Sequence, residues 1–334
     1  MELLQAALAE RRRAASPRRT CGADGNTTRA RRSVSLKEQL IGRGTIAGLT
    51  AISYLPEPLL LTIAKVWGAV GPLLQPARAR LGRANLARVY EFRDNATPTS
   101  SALTRGTREM FEHHLRFYIE SARAPRHARK IIATRVKLED ELAVAAAFSP
   151  AAGASIFLAA HFGAIELPGS ILADRSGRTP MAPMEEISNE VLQAWMLRVR
   201  GAGLGLRIIS AKGAAQVMSD ELAVGGIVGM VGDRNIVGAG VPVKLFGQTA
   251  KLPIGPALLA VESGAKLYVA AVIREPRGAY TGYIREVVIP TDGDRMARTR
   301  ATLAGIAAVF EELIVKAPEQ WWTLFYPIWD DIRA

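Results

Sequence analysis

Apolar and polar positions change their period near residue 150, and the change divides the chain into two halves of different character. Before it, apolar residues recur at helical spacing. Leu40 to Leu55 and Leu59 to Leu74 are apolar segments broken by Pro56, Glu57 and Pro58. Within residues 36–82 the longest uncharged run, Gly44 to Pro56, is too short to span a bilayer, which takes about 20 residues. Two such helices can lie in a membrane interface or pack as a hairpin. Further helices are predicted over 84–90, 103–122 and 138–148. In the second, Met110, Phe111, His114, Leu115, Tyr118 and Ile119 make one apolar face. His113 and His114 therefore belong to the surface and core of that helix, not to a site.

Beyond residue 150, short apolar runs alternate with amphipathic segments, which is the pattern of an α/β layer fold. Strands are predicted near 155–160, 178–183, 206–210, 226–231, 266–273 and 281–289. Helices fit 164–173, 187–201, 211–223, 253–263, 294–316 and 318–326, the fourth segment opening with Pro253-Ile-Gly-Pro256 at 253–263. Gly201-Ala-Gly203-Leu-Gly205 follows a helix and precedes a strand, the wrong order for a dinucleotide loop, and reads as a helix end and turn. The organisation expected is a tail over 1–35, a helical membrane-associating region over 36–147 and an α/β catalytic region over 148–334.

The first strand carries the candidate chemistry. Ile156 to Ala160 is a buried-strand run that breaks at His161, and Gly163 supplies a turn before a helical segment. A titratable imidazole where a strand opens into a loop is a common place for catalysis. Glu166 follows five positions later. In one continuous helix the two side chains would stand roughly 140° apart, so they meet only if His161 lies on the turn before it. A His-x-x-x-x-acid spacing lets the acid take one ring nitrogen and leaves the other as a base. The plain alternative is a structural histidine beside apolar residues.

Composition narrows the chemistry. The 334 residues, 49% of them hydrophobic, suffice for a large core. The single cysteine, Cys21, excludes an internal disulfide framework and a cysteine metal site. Four histidines without a His-Glu-x-x-His cluster give no metal motif, so no metal or other cofactor is expected. Net charge is +12 and sits in one half: residues 1–160 hold 25 Lys and Arg against 13 Asp and Glu, while residues 161–334 hold 18 of each. Such asymmetry suits an anionic partner, a membrane surface or nucleic acid. Aromatic and basic residues are not interleaved as in single-strand binders, so nucleic acid is not the expected partner. The Arg clusters before residue 36 read as a disordered basic tail; no apolar stretch of signal-peptide length follows them.

Several motifs then line up in order. His161-Phe-Gly-Ala-Ile-Glu166 closes the first strand and Met230-Val-Gly-Asp233-Arg234-Asn235 closes a later one. Phe246-Gly247 precedes Leu252-Pro253-Ile-Gly255-Pro256-Ala257, and Ala265 to Val272 is the next strand. With Asn85-Leu86 and Pro318-Glu-Gln-Trp321-Trp322, this order resembles the bacterial lipid A lauroyl/myristoyl acyltransferase family. It is most similar to the branch containing the mycobacterial phosphatidylinositol mannoside acyltransferases, over roughly residues 40–330.

The resemblance implies a central mixed sheet flanked by helices, glycerol-phosphate acyltransferase-like, with N-terminal membrane-interfacial helices. It implies transfer of a fatty acyl group from acyl-CoA or acyl carrier protein to a hydroxyl of a glycolipid, by a monomer peripheral to the cytoplasmic face of the plasma (inner) membrane. By motif match His161 is the general base, Glu166 holds the motif's acid position, and Asp233 is a second candidate for orienting the histidine. Arg234 is a candidate for facing an oxyanion or a phosphate, and Lys251, Pro253 and Gly255 are further substrate-binding candidates. The Arg-rich tail and Asn235, where the branch often carries an acid, depart from the pattern. A thioesterase using the same histidine, or a non-catalytic basic protein binding nucleic acid or membrane, are the alternative readings.

Overall fold

In the computed structural model, which describes residues 36–235 and 240–332, the apolar runs beyond residue 150 line up as one sheet. The tail expected over 1–35 lies outside the described residues. Strands in chain order are Val136–Leu138 (β1), Ser155–Ala159 (β2), Met181–Met184 (β3), Arg207–Ser210 (β4), Ile227–Val231 (β5), Gly240–Leu245 (β6), Gln248–Pro253 (β7), Lys266–Arg274 (β8) and Tyr280–Val287 (β9). Helices are Leu36–Tyr54 (α1), Glu57–Leu74 (α2), Pro76–Asp94 (α3), Ser100–Arg135 (α4), Glu141–Phe148 (α5), Glu166–Ser176 (α6), Glu190–Arg198 (α7), Ala214–Ala223 (α8), Gly255–Ser263 (α9) and Arg295–Ile314 (α10).

Seven strands make the main sheet in the order β1-β9-β8-β2-β5-β3-β4. Only β8 and β9 run antiparallel; the other neighbours are parallel. This is the α/β layer fold that the alternation predicts, with the mixed sheet and flanking helices that the resemblance implies. β2 is central, so both its faces are covered. Ile156 and Leu158 pack with α9 and α10 on one side, while Phe157 packs with α5 and α6 on the other. That is why its five residues are nearly all apolar and do not alternate with polar ones. α3 and the first half of α4 add Leu86, Tyr90, Met110 and Phe111 to the first of these cores.

Five segments differ from the pattern-based reading. The strand β1 and the β6–β7 hairpin were not among the predicted strands. The hairpin turns at Phe246 (φ 52°) and Gly247 (φ 74°), two successive left-handed residues as a tight two-residue turn requires. Its signal was the alternation Val241, Val243, Leu245, interrupted visually by Pro242 and Lys244. The following helix begins at Gly255, not at residue 253, because Pro253 still pairs with Gly240. The expected helix over 318–326 is two 3₁₀ turns, Pro318–Gln320 and Trp322–Phe325, parted by an extended Trp321. The helix expected over 103–122 runs the full length of α4, capped by Thr99, whose hydroxyl accepts from Ala102 N–H at 3.2 Å.

α2 packs on α4 through small residues. A Cβ at Gly68 would sit 2.8 Å from the Arg108 carbonyl oxygen, so only glycine permits this approach. The opposite face presents Leu59, Ile63, Val66, Val70 and Leu73 outward at helical spacing. Among the described residues, α2 is the one helix long and apolar enough to cross a membrane by length and composition, with 22% of that window buried in the chain.

Candidate active site

The chain leaves β2 through a turn that only glycine can make. Gly163 has φ +61°, and a Cβ there would collide with the Val272 carbonyl of β8. That same oxygen accepts from Ala164 N–H at 2.8 Å, which fixes the turn and sends the chain into α6. His161 sits on this turn, two residues past the end of β2.

Strand register then brings it an acid. Ala159 of β2 lies opposite Val231 of β5 in parallel pairing, so the residues two further on, His161 and Asp233, face each other. His161 Nδ1 and Asp233 Oδ1 are 2.7 Å apart. The other carboxylate oxygen accepts from Trp321 Nε1–H at 2.7 Å and from the Thr323 hydroxyl at 2.6 Å. Asp233 is buried. Burial works against its charge, but the His161 charge and hydrogen bonds from His161, Thr323 and Trp321 outweigh it and hold the carboxyl at about 2. His161 Nε2 has no partner among the described residues and is not sealed from solvent. The arrangement is a carboxylate–imidazole pair with one ring nitrogen held and the other open.

The C-terminal segment clamps this turn. Trp322 N–H donates to the His161 carbonyl at 3.1 Å, and Gly163 N–H donates to the Gln320 carbonyl at 3.2 Å. The Gln320 side chain meets the Arg274 backbone in both directions, at 2.9 and 2.8 Å. Buried Asn85 of α3 donates to the carbonyls of Leu324 and Tyr326 at 2.8 and 2.9 Å, tying the segment down from the other side. The Trp322 ring stands 4.3 Å from the imidazole, tilted by 66°. The sequence offered Asn85, Gln320, Trp321 and Trp322 only as part of a resemblance and did not point to Thr323. No spacing rule links residue 321 to residue 233; the sole hint was an indole and a hydroxyl in an otherwise apolar stretch.

Of the other predicted residues only Arg234 stands beside this pair, and none bonds to it among the described residues. Glu166, the first acid considered for His161, starts α6 and turns away. It forms an ion pair with Arg200 at 2.8 Å and accepts from the Ser121 hydroxyl at 3.2 Å. Its charge raises Arg200 against the lowering effect of burial. The turn over 161–165 carries the chain from β2 into α6 and delivers Glu166 to Arg200 and Ser121, so the two positions part although His161 lies before the helix. Arg234 stacks on Tyr326, 3.8 Å from the ring centroid. Lys251 pairs with Asp330 on the exposed side of β7, at 2.9 Å. Pro253 ends that strand, and Gly255 opens α9 with nothing near the position of a Cβ. His114 is buried in α4, as its helical face predicts, and His113 is half-buried beside it. Among the described residues, no group of three or more His, Cys, Asp or Glu is gathered as metal ligands. An apolar cleft of about 620 Å³, its mouth included, opens between α2, α4 and α6, bordered by Leu60, Phe117, Ile119, Ala124, Ile165 and Glu166.

Comparison with known proteins gives the family. The family model described as bacterial lipid A biosynthesis acyltransferase matches residues 32–329. Two curated relatives, both named phosphatidylinositol mannoside acyltransferase, are similar: 31% identical in Mycobacterium tuberculosis strain ATCC 25618 / H37Rv and 30% in strain CDC 1551 / Oshkosh. Each match runs over 184 residues, 54% of this chain, and spans about half (56%) of the relative's length. Because the family match takes in β2, β5 and the C-terminal clamp together, the chain belongs to the bacterial lipid A biosynthesis acyltransferase family.

Proposed function

We propose that this protein moves a fatty acyl chain from a thioester donor to a hydroxyl of a glycolipid, with His161 as general base. The observation that carries the reading is the buried, ionised Asp233 on His161 Nδ1 with Nε2 left open. Asp233 keeps the proton on Nδ1, so Nε2 has a free lone pair. Nε2 takes the proton of the acceptor hydroxyl as its oxygen attacks the thioester carbonyl. A C–O bond forms, the tetrahedral intermediate collapses, and the C–S bond breaks. The departing thiolate recovers the proton from the imidazolium. Asp233 remains an anion throughout and stabilises the charged ring. General-base assistance of this kind is worth about 10²–10⁴-fold in rate. The reaction requires no cofactor beyond the donor, acyl-CoA or acyl carrier protein.

The names of the relatives support a mannosylated phosphatidylinositol as acceptor, and the family description supports a lipid A precursor as the other glycolipid class. The outward stripe of α2 supports binding at a membrane interface: large apolar side chains at five positions gain nothing from water. On this reading the protein acts as a peripheral monomer at the cytoplasmic face of the plasma membrane, drawn there by its basic half.

The test is thiol release from palmitoyl-CoA, and from palmitoyl-acyl carrier protein, in vesicles with and without mannosylated phosphatidylinositol. Release that needs the acceptor and falls at least about 10³-fold in His161→Ala supports transfer by this base. Release without acceptor makes the protein a hydrolase. Undiminished transfer by His161→Ala removes the base from the mechanism.

A further inference from the structure

Beside the His161–Asp233 pair, two arginines enter the same aromatic cluster without any carboxylate. Arg78 of α3 lies over the Phe325 ring, 4.3 Å from its centroid. Its Nη1 donates to Gln75 Oε1 at 3.3 Å and its Nη2 to His114 Nε2 at 3.0 Å. Arg234, next to Asp233 in the chain, lies over Tyr326 at 3.8 Å and faces Trp322 at 5.7 Å. Trp322 joins the two sides: its ring is 5.9 Å from His114, 6.1 Å from Tyr326 and 4.3 Å from His161. Tyr118 stands 5.1 Å from His114, and both guanidinium groups act on its hydroxyl, offsetting the rise caused by burial and Tyr326.

The two differ from Arg200 and Arg274. Arg200 is neutralised by Glu166, and Arg274 is held bidentately by Glu120 at 2.7 and 2.8 Å. Among the described residues, neither Arg78 nor Arg234 has an acid within ion-pair distance. Drawing a cation out of water without a counter-charge is unfavourable. Burial holds Arg78 below the usual arginine range, and only the Tyr326 and Tyr118 hydroxyls oppose it. His114 takes one of its N–H groups but supplies no charge, since burial and the Arg78 cation keep that imidazole neutral.

Both guanidinium planes rest on ring faces, which orient them without consuming N–H donors. Arg234 retains all five donors and Arg78 three of five, among the described residues. We propose that Arg78 and Arg234 together form a phosphate subsite beside His161, taking a phosphate group of the donor or of the acceptor. Its kinetic consequence rests on the acyltransferase reading; its binding consequence does not.

The experiment has two parts. In the first, the purified full chain is titrated with inorganic pyrophosphate while tryptophan fluorescence is followed, since Trp322 lies against both ends of the subsite. Arg78→Gln and Arg234→Gln should each weaken binding about tenfold or more, and Arg78→Lys should recover part of the loss. In the second, kcat/KM is compared for palmitoyl-CoA against palmitoyl-pantetheine, and for mannosylated phosphatidylinositol against an alkyl mannoside. The preference for the phosphate-bearing member should fall about tenfold in the glutamine variants for one pair. The donor pair responding assigns the phosphate to the donor; the acceptor pair responding assigns it to the lipid. Wild-type protein that ignores pyrophosphate, or variants that bind it as wild type does, overturns the proposal. If the wild type transfers no acyl group, the acyltransferase reading fails while the pyrophosphate titration still decides the subsite. Should Arg78→Gln not fold, Arg234→Gln on its loop carries both parts.

Discussion

His161 and His114 border the same tryptophan, 4.3 and 5.9 Å from the Trp322 ring, and yet their surroundings assign them opposite roles. His161 meets a buried carboxylate at 2.7 Å; His114 meets the Arg78 guanidinium at 3.0 Å. Burial and then Arg78 hold His114 at about 3, so near neutral pH it is an uncharged acceptor. Its neighbour His113 is likewise held well below the usual histidine range by burial, Arg274 and Arg116. Residue type and aromatic packing do not separate these imidazoles. Depth of burial, and then the sign of the charge on their nearest partner, do.

Removing that charge is the most severe way to break the contrast. Asp233→Asn keeps the shape of the pair but presents an amide to Nδ1, and kcat should fall by about 10²–10⁴. Circular dichroism would check that the fold survives, and a loss below tenfold would leave the carboxylate without a catalytic part. Trp321→Phe removes one of the two donors that hold the second oxygen of Asp233. A loss of about tenfold in kcat, with KM little changed, is expected from one hydrogen bond to a charged group. Glu166→Gln sharpens the comparison from the other acid. It should lower thermal stability through the Arg200 pair yet change kcat by less than about threefold. A loss matching that of Asp233→Asn would transfer the orienting role to Glu166.

The smallest effect lies in acid stability. A histidine whose folded pKa is depressed binds more protons when unfolded, so stability falls as pH drops below the unfolded value of about 6.5. For His114 that loss continues down to its folded value of about 3. The Asp233 contribution is present above the unfolded carboxylate value of about 4, and it disappears only as pH falls from there towards about 2. Melting temperatures taken from pH 7 to 4.5 should therefore decline, and His114→Gln should flatten the decline. A flat wild-type profile over that range would contradict the buried neutral imidazoles.

Much of this architecture is legible without coordinates because neighbours in sequence share a face. The apolar run before His161 becomes β2, the alternation of strands and helices becomes the mixed sheet, and the helical face of α4 buries His114. Gly163 was readable as a turn, though not the Val272 carbonyl that makes glycine obligatory there. The hairpin at Phe246 and Gly247 escaped because its turn is set by two positive φ angles, one of them at a phenylalanine.

The partner of His161 belongs to the other category. Sequence alone placed an imidazole at the end of a buried strand with Glu166 nearby, and only the family resemblance put Asp233 forward as a second acid far away. Tertiary structure brought together Asp233, Trp321 and Thr323, whose contacts join residues 72, 88 and 90 positions apart. The physical reason is that periodicity reports which side of an element is buried, whereas the acid that reaches Nδ1 depends on the register of β2 against β5. That register, and the C-terminal clamp that completes the site, exist only once the sheet has formed.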